Sequence, residues 1–154
     1  MTSVRLWNLL QHAADLHLEV EWRDLGPTRR GEYRRAKKVI ILSTRLTDAQ
    51  AVSTLAHELG HHRFADRCST PGAERRAWRY AAALVVTPQE YRAAEAVVGH
   101  HPNALAAELG VTSRLVRAWC DWWGQLGVHL PRSTWDGLRE YLEDDDRAAQ
   151  DSTA

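Results

Sequence analysis

The span His57-Glu58-Leu59-Gly60-His61 constrains this chain more than any other. On a helix, residues i and i+4 stack on one face, so His57 and His61 can aim imidazole nitrogens at one ion at roughly 2.0–2.1 Å. Glu58 is turned about 100° round the helix axis from His57. That placement suits it to take a proton from a water at the ion without being a ligand itself. The plain alternative is a surface helix with solvated histidines, and eight His in 154 residues keep that alternative open. The neighbours weigh against it. Ala51, Val52, Leu55, Ala56 and Leu59 recur with helical spacing, and Thr47 with Gln50 forms a capping box at the start. Gly60 costs about 1 kcal/mol against Ala inside a helix, a cost that close approach of another segment would explain.

Two histidines do not complete a catalytic zinc site, which takes three protein ligands and an open position. Glu74 is the leading third ligand. It opens the next expected helix, and Ala77, Trp78 and Ala81 share its face, the two alanines letting that helix lie close. The same glutamate could equally complement a helix dipole, and spacing alone does not separate the two. His62 points about 100° away from His61. A metzincin would need Gly at 64 and His at 67, where this chain has Phe64 and Arg67. Asp66 follows His61 too soon for an easy return and suits a partner to a ligand histidine. Cys68 could ligate zinc, though a lone loop cysteine is more often only a small buried residue.

Along the chain, Val4 to Asp15 reads as a helix with Val4, Leu6, Trp7, Leu10 and Ala14 as its apolar side. Leu16, Leu18, Val20 and Trp22 alternate with His17, Glu19, Glu21 and Arg23, the pattern of a half-buried strand. Gly31 to Arg35 and Val39 to Leu42 read as two more strands, with Ala36-Lys37-Lys38 as the turn. The basic run from Arg29 to Lys38 reads as a solvated hairpin face in preference to a phosphate site. The motif helix runs from about Thr47 to Phe64. Thr70-Pro71 and Thr87-Pro88 each start a further helix, with Thr at the N-cap and Pro at the first turn. Asn103 to Gly110, Thr112 to Gly124 and Ser133 to Leu142 read as the remaining helices. The expected fold is one α+β domain over residues 1–142, a small antiparallel sheet of about three strands on a mostly helical body. An acidic, disordered tail is expected at 143–154.

A formal net charge of zero argues against a generally basic nucleic-acid binder. The N-terminus has no basic stretch leading into a long apolar run, and no apolar run approaches 18 residues, so neither a signal peptide nor a membrane span is expected. Two cysteines make no disulfide framework and fit a reducing cytosol.

Ala104 to Trp119, within the helical segment 103–127, reads like a helix-turn-helix, with Gly110 in the turn and Thr112-Ser113-Arg114 opening the second helix. That supports a rival function class, a DNA-binding regulator with a structural metal site. Its basic residues are few, Arg114 and Arg117. Trp119, Trp122 and Trp123 suit a core, or else the docking surface of a third class, a non-catalytic repressor-binding protein.

Taken together, Leu55-Ala56-His57-Glu58-Leu59-Gly60-His61, then Glu74-x-x-Ala77-x-x-Tyr80-Ala81, then Leu84-Val85-Val86-Thr87-Pro88 resembles the ImmA/IrrE family of metallopeptidases. The departures are Tyr80 where the family has Phe, and Val-Val-Thr where it has Leu-Met before the proline; neither touches a ligand. Upstream, Trp22-Arg23-Asp24-Leu25, Gly31-Glu32-Tyr33 and Ile40-Ile41-Leu42 resemble small members from actinobacterial phages and mobile elements. The likeness spans about residues 16 to 125. It implies a zincin-like body and a gluzincin-like site, with one zinc per chain on His57, His61 and Glu74 and with Glu58 as general base. It also implies a cytoplasmic protein partner, a helix-turn-helix repressor of a mobile element or stress response, which the chain cleaves or otherwise inactivates as an anti-repressor. Tyr33, Tyr80 and His62 are the candidate donors to the oxyanion, and the Val39 to Leu42 strand is expected to pair with extended substrate.

Overall fold

The computed structural model describes residues 2–126. The expected helix at Ser133 to Leu142 and the acidic tail lie outside the described residues. The element order is α1 (Val4–Asp15), β1 (Glu19–Arg23), β2 (Gly31–Arg34), a 3-10 turn at Arg35–Lys37, β3 (Val39–Ser43), α2 (Asp48–Arg63), α3 (Pro71–Val85), α4 (Pro88–Val98), α5 (Pro102–Leu109) and α6 (Ser113–Leu126). This is the α+β class that the sequence implies.

Side-chain chemistry at the caps explains why the helices begin where they do. The Thr47 hydroxyl accepts from the Gln50 N–H while the Gln50 side chain accepts from the Thr47 N–H, which satisfies two otherwise orphaned donors at the head of α2. Thr87 and Glu90 repeat the device on α4. On α3, Thr70 caps the Ala73 N–H and Pro71 supplies a φ already suited to a helix. Gly110 ends α5 in the left-handed region at φ 67°, where a glycine carries no Cβ penalty.

The sheet corrects the antiparallel expectation. Its order is β1-β3-β2, and it is mixed: β2 pairs antiparallel with β3, with Tyr33 opposite Ile40, but β1 pairs parallel with β3, with Val20 opposite Ile40. The reason lies in burial. Val39 to Ser43 is buried at every position, so β3 takes the centre, and the charged β1 and β2 become its two edges. Alternation in β1 names the face of each residue but not the neighbouring strand.

The phase of α1 also differs from the expected one. Leu6, Leu9 and Ala13 form its buried side, whereas Val4 is 76% and Trp7 58% exposed, and Ala14 is exposed too. Leu16 and His17 close this helix instead of opening the strand, with His17 at φ 58°. Inside the body, α2 is buried along the whole stretch Ala51 to Gly60. It is a central helix, packed on the sheet and α1 on one side and on α3 on the other.

Gly60 is where α2 and α3 come closest. A Cβ built there would sit 2.7 Å from the Ala77 carbonyl oxygen and 2.8 Å from the Ala77 Cα. Ala77 and Ala81 are fully buried, so small residues on both helices permit the approach. The mid-helix glycine thus has the packing reason that its helix-propensity cost calls for.

Candidate metal centre

The contact between α2 and α3 sets three side chains around one point. His57 Nε2 and His61 Nε2, one turn apart on α2, lie 3.0 Å from each other. From the first turn of α3, Glu74 places Oε2 3.2 Å from His57 Nε2 and Oε1 3.1 Å from His61 Nε2. These three residues each offer a ligand atom within a span of 4.8 Å. The donor set fits a divalent cation. Two imidazole nitrogens and a carboxylate face inward together, and tetrahedral ligands at roughly 2.1 Å stand about 3.4 Å apart. Without a cation, the two nitrogens can satisfy each other only if one of them carries a proton.

Partners behind the ligands orient them. The His61 Nδ1–H donates to Asp66 Oδ2 at 2.9 Å, which leaves the Nε2 lone pair facing the cluster. Asp66, nearly buried, also accepts from Arg76 at 2.6 Å. The early return of Asp66 has a backbone cause. Ala65 adopts φ 53°, and the N–H groups of Ala65 and Asp66 turn back onto the carbonyls of His62 and His61, a helix ending that normally uses glycine. His57 is held differently. Its Nδ1 is buried with no hydrogen-bond partner, and its ring stacks on the Trp78 indole at 4.3 Å and 27°. Ser69 donates to Glu74 Oε1 at 2.6 Å.

Electrostatics prepares the groups for these roles. Burial, aided by the neighbouring His61, brings His57 down to about 4, so its ring is neutral at neutral pH, the form that can ligate a cation. Burial alone would raise Glu74, yet the Ser69 hydroxyl, both histidines and Arg114 together hold it below the ordinary carboxylate range. Glu58 behaves oppositely. Burial pushes it up to about 7, with His61 nearby opposing the rise and the Glu74 charge adding to it. Its oxygens are outside the converging set, but it lines the same groove as His57 and Glu74. A carboxylate beside a metal position with its affinity for protons raised is equipped for general-base work.

That groove is about 830 Å³ in volume. Gly31 of β2 forms one side; a Cβ there would meet Thr54 at 2.6 Å and Glu58 at 3.5 Å, so the glycine lets the strand lie against the Glu58 carboxylate. The turn between α5 and α6 forms the other side, with Thr112, Ser113 and Arg114. The Thr112 N–H donates to the buried Ser53 hydroxyl, which ties this turn to α2.

The three expected oxyanion donors are not at the groove. Tyr33 hydrogen-bonds His62 Nδ1 at 2.8 Å, which also accounts for His62, and Tyr80 packs its ring edge on Phe64. None of the three lines the groove; among its lining residues, Arg114 is the long cationic side chain near the ligands. Nor can the Val39 to Leu42 strand receive a peptide, since β3 is paired on both sides; the edge toward the groove is β2. Cys68 is exposed and outside the ligand set. Trp119 and Trp122 are each 3% exposed, and the Trp119 indole donates to the Val86 carbonyl and stacks on Tyr91 at 3.9 Å, so these rings belong to the core.

Trp78, Ser69 and Arg114 lie at the site, a place the sequence alone does not give them. Trp78 had a signal, four residues past Glu74 on the same face. Arg114 had none, because its nearness to the ligands depends on how α6 packs over α3. The family model described as the IrrE N-terminal-like domain, Peptidase_M78, matches residues 14–118, which include all of these. No curated protein matches the chain.

Proposed function

Because this chain belongs to the IrrE N-terminal-like family of metallopeptidase-type proteins, we propose that it is a zinc-dependent endopeptidase, with His57, His61 and Glu74 as ligands and Glu58 as general base. One observation carries the reading: the nitrogens of His57 and His61 and the carboxylate of Glu74 converge within reach of a single ion, in a groove that also holds the buried Glu58. A zinc ion held by His57, His61 and Glu74 would supply the Lewis acidity that activates a water and polarises a carbonyl. The residues of the chain do the rest. Glu58 accepts the proton of the attacking water at a carboxylate oxygen and delivers it to the leaving amide nitrogen. Asp66 keeps His61 in the tautomer that presents Nε2. The free edge of β2 offers backbone donors and acceptors to an extended peptide entering the groove.

The substrate we propose is a helix-turn-helix repressor or similar regulator inside the cell. Support for it is the resemblance of the motif-bearing segments to small ImmA/IrrE members of mobile elements. No helix among the described residues is long and apolar enough to cross a membrane.

Metal content of the purified protein tests the proposal. Near one zinc per chain is expected, with marked loss in His61→Ala and in Glu74→Ala. A wild-type protein that holds no metal after zinc is added and the excess removed would sink the reading.

A further inference from the structure

The groove does not end at the ligands. Glu74, Trp78 and Arg114 also line an adjoining recess of about 230 Å³ between α3 and α6, and there cations outnumber carboxylates by four to two. Arg75 and Arg79 come from α3, Arg114 and Arg117 from α6. Two carboxylates face them. Glu74 is committed to the metal position, which leaves Asp121 as the remaining one. Among the described residues, Arg75, Arg79 and Arg117 make no ion pair.

Arginines on a surface usually only solvate. Two features set these apart. The first is their arrangement, with cations at i and i+4 on α3 facing cations at i and i+3 on α6; such like-charge spacing is mildly destabilising in itself and is relieved by an anion. The second is orientation. The Arg114 guanidinium rests on the Trp78 indole, 4.5 Å from the ring centre, and that indole stacks on His57. A long side chain with little else to hold it is thereby fixed one ring away from the metal ligands, with its donors available to a carboxylate.

We propose that this recess is a subsite for an acidic stretch of the substrate polypeptide, seating Asp or Glu side chains on Arg114 and Arg79 beside the bond to be cut. The inference rests on the peptidase reading and adds a substrate class to it. The same chemistry exists within the chain: residues 127–154 carry seven acidic and three basic residues, among them Glu143-Asp144-Asp145-Asp146. The test must therefore tell substrate from tail.

The probe is a fluorescein-labelled, end-blocked (Ala-Asp)4 peptide against its (Ala-Asn)4 counterpart, titrated by anisotropy into the zinc-loaded full chain at low salt. The acidic peptide should bind at least about tenfold more tightly, with Arg79→Gln and Arg114→Gln each losing about threefold of that preference. Arg92→Gln, on α4 away from the recess, should lose none. Equal affinities for the two peptides, or a loss from Arg92→Gln as large as from Arg114→Gln, overturns the subsite. So does a preference that both recess variants leave intact and that vanishes with zinc, since the carboxylates would then be binding the ion. A full-length variant with Glu143, Asp144, Asp145 and Asp146 changed to their amides should bind as the parent does. A tenfold gain there would assign the recess to the chain's own tail and overturn the substrate assignment. Binding needs no turnover, so the two readings fail separately. An acidic preference without any cleavage removes the peptidase, and cleavage without the preference removes the subsite.

Discussion

At the floor of the groove, His57 and Glu58 lie in the buried stretch of α2, and Gly60 abuts the backbone of Ala77; at its rim, Arg29, Arg30 and Arg114 are exposed. The two regions hold their side chains by different means. On the floor burial and single close contacts fix the side chains, as Asp66 fixes His61 and the stacked Trp78 ring fixes His57. On the rim Arg29 pairs with Glu32 and Arg114 lies on Trp78, while Arg30 makes no ion pair among the described residues. A floor built this way can set proton affinities and ligand geometry, because burial makes each interaction count. An exposed rim can only bias what enters. Chemistry should therefore fail with floor substitutions, and selectivity with rim substitutions.

The sharpest break in that division would come from Glu58→Gln. The change keeps size and most contacts but removes the base, so turnover should fall about 10²–10⁴-fold, with zinc content unchanged. Stopped assays on the zinc-loaded variant, beside its metal analysis, would show it. Normal turnover would mean that the base lies elsewhere in the groove.

Asp66→Asn comes next. The amide can still contact His61 but loses the charge that favours a proton on Nδ1, and such partners usually carry 10–100-fold in metal affinity, roughly. Competition for zinc against a chelator measures it. A variant that binds zinc as the parent does would show that packing alone orients His61. It would also make the strained turn at Ala65 incidental.

Gly60→Ala sharpens the comparison by setting two rules against each other. Helix propensity alone favours alanine by about 1 kcal/mol. The structure gives the new methyl no room against the backbone of Ala77, and backbone cannot step aside as a side-chain tip can. A net loss of about 1–3 kcal/mol is expected, seen as a lower Tm, together with weaker zinc binding as α3 moves off. A gain in Tm would show that α2 and α3 have slack.

This glycine also marks how far the sequence could be read. Local chemistry was legible. The caps at Thr47, Thr70 and Thr87 and the left-handed Gly110 need only a few neighbouring residues to act, and the structure places each helix start where those residues stand. Gly60 could be marked as a point of approach because its cost is local, and Glu74 because the alanines after it are. Contacts between distant segments were not legible. Alternation in β1 fits either side of β3, so the parallel pairing was hidden. In α1, Val4, Trp7 and Ala14 on one side compete with Leu6, Leu9 and Ala13 on the other, and only the partner decides which is buried. Tyr33 is one of three candidate oxyanion donors in the sequence, but its hydroxyl is bound to His62, a pairing between segments far apart in the chain. Arg114 sits 40 residues past Glu74, and no periodicity connects the two.

The smallest effect expected is the one that the comparison most depends on. Arg30 lines the groove on the β2 side, is exposed, and makes no ion pair among the described residues, although its backbone carbonyl accepts from the Ser43 N–H at 2.8 Å. Arg30→Ala removes a rim cation and leaves that backbone bond in place. Stability should stay within about 0.5 kcal/mol of the parent, as for most exposed substitutions, and zinc content should not change. Paired with Asp66→Asn, its effect on zinc affinity should simply add, because the two side chains share no partner. A double variant that departs from additivity by more than about 0.5 kcal/mol would show that rim and floor are coupled, and that the arginines help to hold the metal site as well as select what reaches it.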